Sequence, residues 1–354
     1  MEVHCALQAA LVFAILAFAH ASLFELNKDL VYTYDEGLAV KLLNGAAAAY
    51  PDDDTISETC LNKAFNESDF KVMGSEKAQC GKKAEDICKA YIARSDEMKM
   101  FVIGIRGTEG MTQLWNEARD GLSATGATSN FTNNPDIRVV QYFRDAMFNI
   151  YDILLISDTL RTYPDYGVYV TGHSLGGALA ALIARRIVFD KVRTADNVQL
   201  ITFGEPRVGN YPFSQEMRTE VPYSFRVVHG DDPVPHLPPC GSGDDMFSKR
   251  CNQTHGWYHH GREVWYFNLH KAMNKGKYHE CSATDGEDPN CSNGVSGWDR
   301  FFRDFLFQQG AKMHLNYFNH YISAYGKRGC VDGASTASVS VLLFLITAIV
   351  AWVR

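Results

Sequence analysis

The chain has 354 residues, a formal net charge of −7 and 46% hydrophobic residues. That balance suits one large α/β domain or two smaller ones. The acidic excess argues against a nucleic-acid partner, because binding phosphate needs a basic surface.

Residues 1–21 read as a secretory leader rather than as part of the fold. Leu7 to Phe18 is apolar, and Ala19-His20-Ala21 fits the small-x-small cleavage rule, although Met1-Glu2-Val3-His4 lacks the usual Lys or Arg. The apolar run is too short to span a bilayer, so secretion with Ser22 as the mature N-terminus is expected. Asp35 to Leu43, continued by Ala46 to Ala49, reads as a helix with acids in its first turn, where the helix dipole favours them. Residues 51–98 are polar and hold three cysteines, so irregular structure tied by disulfides and ending in short strands is expected. Met98 to Ile105 is the first strong central strand, followed directly by Arg106-Gly107-Thr108. Met111, Leu114 and Trp115 share one face of a short amphipathic stretch, and residues 121–136 have the composition of a mobile loop. Val139 to about Leu160 predicts one long helix with Tyr142, Phe143, Met147, Ile150, Tyr151 and Leu154 as its buried stripe.

The chain is organised around Gly172-His173-Ser174-Leu175-Gly176-Gly177. Gly167 to Thr171 is β-branched and aromatic, as a buried strand would be, and Ala178 to Arg186 is Ala/Leu-rich, as a helix would be. A strand that turns at once into a helix leaves no room beside the turning residue. Glycines two before and two after let the backbones approach, and the serine is held strained and exposed at the C-terminal end of the sheet. Val198 to Phe203 and Tyr223 to Val228 read as the next strands. Strands separated by helical patterns predict a mainly parallel sheet with helices on both faces. There is no internal repeat and no interdomain linker.

At the C-terminus, Val339 to Val353 is almost wholly apolar and follows the small residues Gly333 to Ser338. This fits a GPI attachment signal. A membrane anchor is the rival reading: Ala334 to Val353 just reaches the roughly 20 residues a spanning helix needs, and Arg354 suits an anchor. Cys5 leaves with the leader, which leaves Cys60, Cys80, Cys88, Cys240, Cys251, Cys281, Cys291 and Cys330; an even count in a secreted chain predicts four disulfides, with 105 possible pairings. N-x-S/T sequons at Asn66, Asn130, Asn252 and Asn290 are compatible with glycosylation in the same compartment. No C-x-x-C or H-E-x-x-H occurs, so no metal site is expected.

A serine hydroxyl needs a histidine base, and that histidine needs a carboxylate to fix its tautomer and stabilise its cation. With Ser174 as nucleophile, Asp232 follows a strand two crossings later and should lie at the same sheet edge, with Asp231 a competitor. The histidines beyond it are His236, His255, His259, His260, His270, His279, His314 and His320. His259 and His260 enter the next predicted strand, Glu263 to Phe267, at its N-terminal end, about 15 Å from the elbow if five residues rise roughly 3.3 Å each. His314 follows the helical-looking segment Trp298 to Phe307 and a loop containing Gly310, beyond the last strand, from which it can return to Ser174 and Asp232. The oxyanion donors expected are the backbone N–H of Leu175 and that of Thr108, whose hydroxyl is a further donor.

At this point the residues resemble a known family, the class 3 or fungal-type triacylglycerol lipases. The likeness rests on IRGT at 105–108, GHSLGGALA at 172–180, FGEPRVGN at 203–210, DPVPHLPP at 232–239, YHHGREVWY at 258–266 and HLNYF at 314–318, and covers residues 30 to 330. It implies an α/β-hydrolase fold over a catalytic domain at 22–330, with 331–354 as a separate tail, and a secreted serine lipase using Ser174, Asp232 and His314. A lid at Glu109 to about Thr128, with Trp115 facing lipid, would open at an interface. The resemblance also implies the pairings Cys60–Cys330, Cys80–Cys88, Cys240–Cys251 and Cys281–Cys291. Met313, where fungal members often carry Asp or Ala, and a long 240–257 loop depart from the pattern and put the substrate in doubt more than the reaction. Triacylglycerol is the expected substrate, with a phospholipid sn-1 ester or a diacylglycerol as alternatives. A catalytically silent lipid-binding protein on the same scaffold is the competing class. No cofactor is expected, and the enzyme is expected to work as a monomer at a lipid or membrane surface.

Overall fold

The computed structural model describes residues 32–81, 86–108, 124–125, 132–240, 251, 253–254, 256–268, 272–295 and 309–332. The expected leader, nearly all of the expected lid including Trp115, Asn130, Asn252, His255, His270, the helical-looking sequence at 298–307 and the apolar tail lie outside the described residues. The chain divides into a short N-terminal unit, Met1–Tyr34, and one compact unit, Asp35–Arg354, to which all that follows belongs. Among the described residues no helix is long and apolar enough to cross a membrane.

Eight strands form one sheet in which spatial order is chain order: β1 (Lys71–Gln79), β2 (Ile87–Ser95), β3 (Met100–Ile105), β4 (Gly167–His173), β5 (Val198–Phe203), β6 (Tyr223–His229), β7 (Arg262–Tyr266) and β8 (His279–Glu280). Strands β3 to β7 run parallel, and β1, β2 and β8 pair antiparallel at the two edges. The main helices are α1 (Glu36–Ala47), α2 (Asp54–Ala64), α3 (Gln141–Ile153), α4 (Ile156–Arg161), α5 (Leu175–Phe189) and α6 (Tyr211–Glu220). This is the expected α/β-hydrolase arrangement. Strand β3 is buried along its whole length, because helices cover both faces of the parallel region.

The pleat of β4 shows which helix lies where. Thr171 points to one face, where its hydroxyl donates to the Leu42 carbonyl of α1 (3.1 Å). Gly172 points to the other, where a Cβ would stand 2.2 Å from the Gly176 carbonyl oxygen of α5. A Cβ on Gly176 would in turn stand 2.2 Å from the carbonyl oxygen of Ile105 in β3. Close backbone approach is therefore what both elbow glycines permit. Helix α5 buries Leu179, Leu182, Ile183 and Ile187 completely, each contributing about 1.5–3 kcal/mol relative to exposure.

Three sequence expectations need correction. Residues 51–98 are mostly regular: Asp53 caps α2 through its carboxylate to Thr55 N–H (2.8 Å), and β1 and β2 form a hairpin across whose turn Cys80 and Cys88 are joined. Strand β1 is an exposed edge rich in Lys and Glu, a composition that blunts unwanted strand pairing and hides the apolar signal. The long helix predicted from Val139 breaks at Leu155, whose φ is +47°. Phe143, Met147, Ile150, Tyr151 and Leu154 are buried as expected, while Tyr142 is half-buried. Continuing that stripe would have turned Asp158 and Arg161 inward; the break re-phases the chain so that Ile156 and Leu160 are buried instead. The Gly310 loop is in fact a helix, Gln309–Leu315, and it carries His314 near its end.

All four disulfides are present in the pairings Cys60–Cys330, Cys80–Cys88, Cys240–Cys251 and Cys281–Cys291. Cys60–Cys330 ties α2 to the end of the described chain, a separation of 270 residues.

Candidate active site

Ser174 sits between β4 and α5 with φ +60° and ψ −130°. A non-glycine residue in such a conformation stores about 1–3 kcal/mol of strain and persists only where its surroundings fix it. Here the Ser174 N–H donates to the Phe203 carbonyl of β5 (2.9 Å), and the Ser174 carbonyl accepts from Gly177 N–H (2.9 Å). Leu175 begins α5, so its N–H is one of the helix-terminal donors without an intrahelical acceptor. The loop after β3 packs on this turn: a Cβ on Gly107 would lie 2.5 Å from the His173 carbonyl oxygen and 3.1 Å from Ser174 Cβ. Thr108 is the next residue of that loop.

Asp232 follows β6 and is fully buried. His314 Nδ1 lies 3.0 Å from its Oδ1 and 2.9 Å from its Oδ2. Tyr317 O–H donates to Oδ2 at 2.5 Å, and Val234 N–H donates to Oδ1 at 2.9 Å. Burial pushes the Asp232 carboxyl up, but the His314 charge and the hydrogen bonds from His314, Tyr317 and Val234 outweigh it and hold the group below the usual carboxylate range. Burial, reinforced by the Asp232 charge, raises the Tyr317 hydroxyl well above its ordinary value, so Tyr317 keeps its proton and remains a donor. A Cβ on Gly204 would crowd Asp232 Oδ2, His314 Nδ1 and the Tyr317 hydroxyl at 2.7–2.9 Å, which leaves only glycine at that place.

Ser174 is strained as expected but buried rather than exposed, and neither its Oγ nor the buried His314 Nε2 carries a hydrogen bond among the described residues. The two ends of the arrangement are brought together by the residue before the nucleophile. His173 Nε2 lies 2.7 Å from the His314 carbonyl oxygen, and the two imidazole rings pack with centroids 4.5 Å apart. It is Asp232 rather than its competitor Asp231 whose oxygens face His314 Nδ1; the Asp231 N–H donates to Met313 Sδ at 3.0 Å. Tyr317, Gly204, His173 and Tyr50 were not singled out from sequence, although the first three lie within HLNYF, FGEPRVGN and GHSLGGALA.

The other histidines are placed elsewhere. His260 Nε2 pairs with Glu205 Oε1 (2.6 Å), and His259 Nδ1 lies 2.9 Å from Glu287 Oε1 beneath the N-terminal end of β7. His279 is exposed in β8, and His320 stacks on Tyr325 at 3.9 Å. Glu263 lies beside Cys281 and Cys291, ligand atoms within 4.8 Å of one another, but both sulfurs are bound in the disulfide and offer no thiolate to a metal. The sequons at Asn66 and Asn290 are exposed.

Three buried histidines predict an acid weakness. Burial, with some help from the His314 charge, takes His173 down to about 3. Burial and Arg207 take His236 down to about 4, and burial and Arg226 take His259 well below its ordinary value. The folded protein keeps His173 and His236 neutral at pH 5 and disfavours charge on His259, whereas the unfolded chain protonates all three below about 6.5, so stability must fall as pH drops through that value. Glu263, whose carboxyl burial pushes up, acts in the opposite sense. Each net proton taken up on unfolding costs about 2 kcal/mol between pH 6.5 and pH 5. Urea-unfolding curves at pH 7 and pH 5 should show at least that loss; equal stability at both would mean that these rings reach water.

A family model described as Lipase (class 3) matches residues 102–242. "Lipase ZK262.3" of Caenorhabditis elegans is 36% identical over 317 residues, covering 84% of this chain and 83% of that protein. The "Secreted mono- and diacylglycerol lipase 1" of Fusarium solani is 31% identical over 156 residues, 42% of this chain and 43% of that protein. Among solved structures, a triacylglycerol lipase whose catalytic centre is a serine protease triad superposes with a TM-score of 0.58 at 25% identity, covering 83% of this chain and 96% of that one.

Proposed function

Because this chain belongs to the class 3 lipase family and is a carboxylic ester hydrolase, we propose that Ser174, Asp232 and His314 are its catalytic triad and that its substrates are acylglycerols at a lipid surface. The observation that carries the assignment is His314 itself: Nδ1 faces both oxygens of Asp232, Nε2 is left for the serine, and the ring lies on the residue preceding Ser174.

His314 Nε2 accepts the Ser174 proton as Oγ attacks the ester carbonyl. Asp232 holds the Nδ1–H tautomer and stabilises the imidazolium that forms. The backbone N–H groups of Leu175 and Thr108 receive the oxyanion, a contribution worth about 10²–10³ in rate per donor. His314 then returns the proton to the leaving alcohol. Water, activated by the same histidine, releases the fatty acid from the acyl-enzyme. The four disulfides and the secreted relative support an extracellular setting.

Purified enzyme should be assayed on emulsified trioleoylglycerol, dioleoylglycerol, phosphatidylcholine and a soluble short-chain ester, alongside labelling by a fluorophosphonate. Triacylglycerol should turn over fastest, with label on Ser174. Dominant release of the sn-1 acyl chain from phosphatidylcholine would make the enzyme a phospholipase A1. No turnover and no labelling would leave the silent lipid-binding reading.

A further inference from the structure

The proposed triad leaves two buried polar side chains beside it unexplained, Tyr50 and His173. Tyr50 follows α1 and is almost fully buried, with its hydroxyl 3.0 Å from His173 Nδ1. His173 Nε2 is 2.7 Å from the carbonyl oxygen of His314, 141 residues away in sequence. A carbonyl can only accept, so Nε2 carries the proton. In a neutral ring Nδ1 is then an acceptor, and the Tyr50 hydroxyl must donate to it. The chain of bonds has one direction: Tyr50 O–H to His173 Nδ1, and His173 Nε2–H to His314 C=O.

We infer that Tyr50 and His173 are positioning residues for His314: by fixing the His173 tautomer and tying the His314 carbonyl to the residue beside the nucleophile, they hold the base in register with Ser174. The inference rests on His314 being the base.

Three features support it. First, His314 lies near the end of a seven-residue helix, Gln309–Leu315, too short to hold its own backbone rigidly. Its carbonyl needs an outside partner, and His173 supplies one from the rigid strand β4. Second, His173 is covalently next to Ser174, so one side-chain hydrogen bond ties the nucleophile's neighbour to the backbone of the base. The Asp232 contact fixes the His314 ring from the far side, and His173 fixes its main chain and covers a ring face. Third, the Tyr50 end is itself anchored. Lys89, buried in β2, donates through Nζ to the Pro51 carbonyl, immediately after Tyr50. A His173 that stays neutral also matters, because a cation packed on the His314 ring would oppose the imidazolium formed at each turnover.

The test is a set of variants assayed on a soluble short-chain ester, with active sites counted by fluorophosphonate titration. His173→Leu should lower kcat by about 10²-fold with little change in KM, as expected for misplacement of a catalytic group by about 1 Å. His173→Gln, whose amide N–H can reach the His314 carbonyl, should recover kcat to within about tenfold of wild type. Tyr50→Phe should lose about 3- to 10-fold in kcat, the size of one hydrogen bond, and should add nothing to His173→Leu. Kcat within threefold of wild type in His173→Leu, or Gln no better than Leu, overturns the inference. If His173→Leu does not accumulate as folded protein, Tyr50→Phe decides alone, and unchanged kcat in it overturns the inference. His314→Ala separates the two readings. If it remains active, the assignment of the base is wrong; if it is inactive while His173→Leu is normal, only the positioning role falls.

Discussion

Ser174→Ala should lower ester turnover by about 10⁴-fold or more, His314→Ala should fall to the same level, and the double variant should be no worse. The equality is the informative part. A nucleophile without its base, and a base without its nucleophile, are each inert in the chemical step, so the second loss removes nothing that was still operating. What should survive in all three is substrate binding and the proposed oxyanion donors, the N–H groups of Leu175 and Thr108. The folds should survive as well. The strained φ of +60° at Ser174 is a backbone property fixed by the Phe203 and Gly177 hydrogen bonds, and alanine carries it as serine does. Ser174→Gly should therefore be as inactive as Ser174→Ala yet slightly more stable, since glycine adopts that φ freely. Turnover above a tenth of wild type in Ser174→Ala would end the serine-hydrolase mechanism. A double variant markedly slower than both singles would mean that the two residues act in separate steps.

Much of this site was legible in the chain because its requirements are local. The elbow needs a β-branched strand, glycines two residues either side of a serine, and a helix, all within Gly167 to Arg186. Asp232 was legible from its place just beyond a strand in a parallel sheet, where loops gather on one edge. What stayed hidden depends on distant chain. Nothing near Tyr50 shows that its hydroxyl meets His173, 123 residues later. The pairing of Tyr317 with Asp232 is equally invisible until β6 and the Asn316–Tyr317 segment are packed together. The break at Leu155 has no glycine or proline to mark it, yet the change of apolar phase between Leu154 and Ile156 carried the information. Strand β1 was missed because an edge strand is selected for charge rather than for burial.

Arg207→Met should destabilise the protein by about 3–5 kcal/mol, the cost of removing one partner from a buried ion pair. Arg207 and Glu287 are both buried, and the guanidinium meets the carboxylate side-on, Nε to Oε1 at 2.8 Å and Nη2 to Oε2 at 2.9 Å. Its Nη1 donates to the His236 and Pro238 carbonyls at 2.8 and 3.0 Å, so one side chain holds the loop that leaves Asp232. Glu287 also accepts the His259 N–H at 3.0 Å from within the loop closed by Cys281–Cys291. The positive charge of Arg207 and the His259 contact together keep Glu287 ionised well below the ordinary carboxylate range, against the push of burial. Without Arg207 the carboxylate is left in a dry site and two carbonyls lose their donor. Lysine should not rescue, because a single ammonium cannot reproduce the planar fork that serves a carboxylate and two carbonyls at once. The double variant Arg207→Met/Glu287→Met should be less destabilised than the sum of its singles, since neither charge then remains buried alone. Urea-unfolding free energies for the four proteins decide it. A loss under 1 kcal/mol in Arg207→Met, or strict additivity in the double variant, would mean that water reaches the pair and that the acid loop is held by something else.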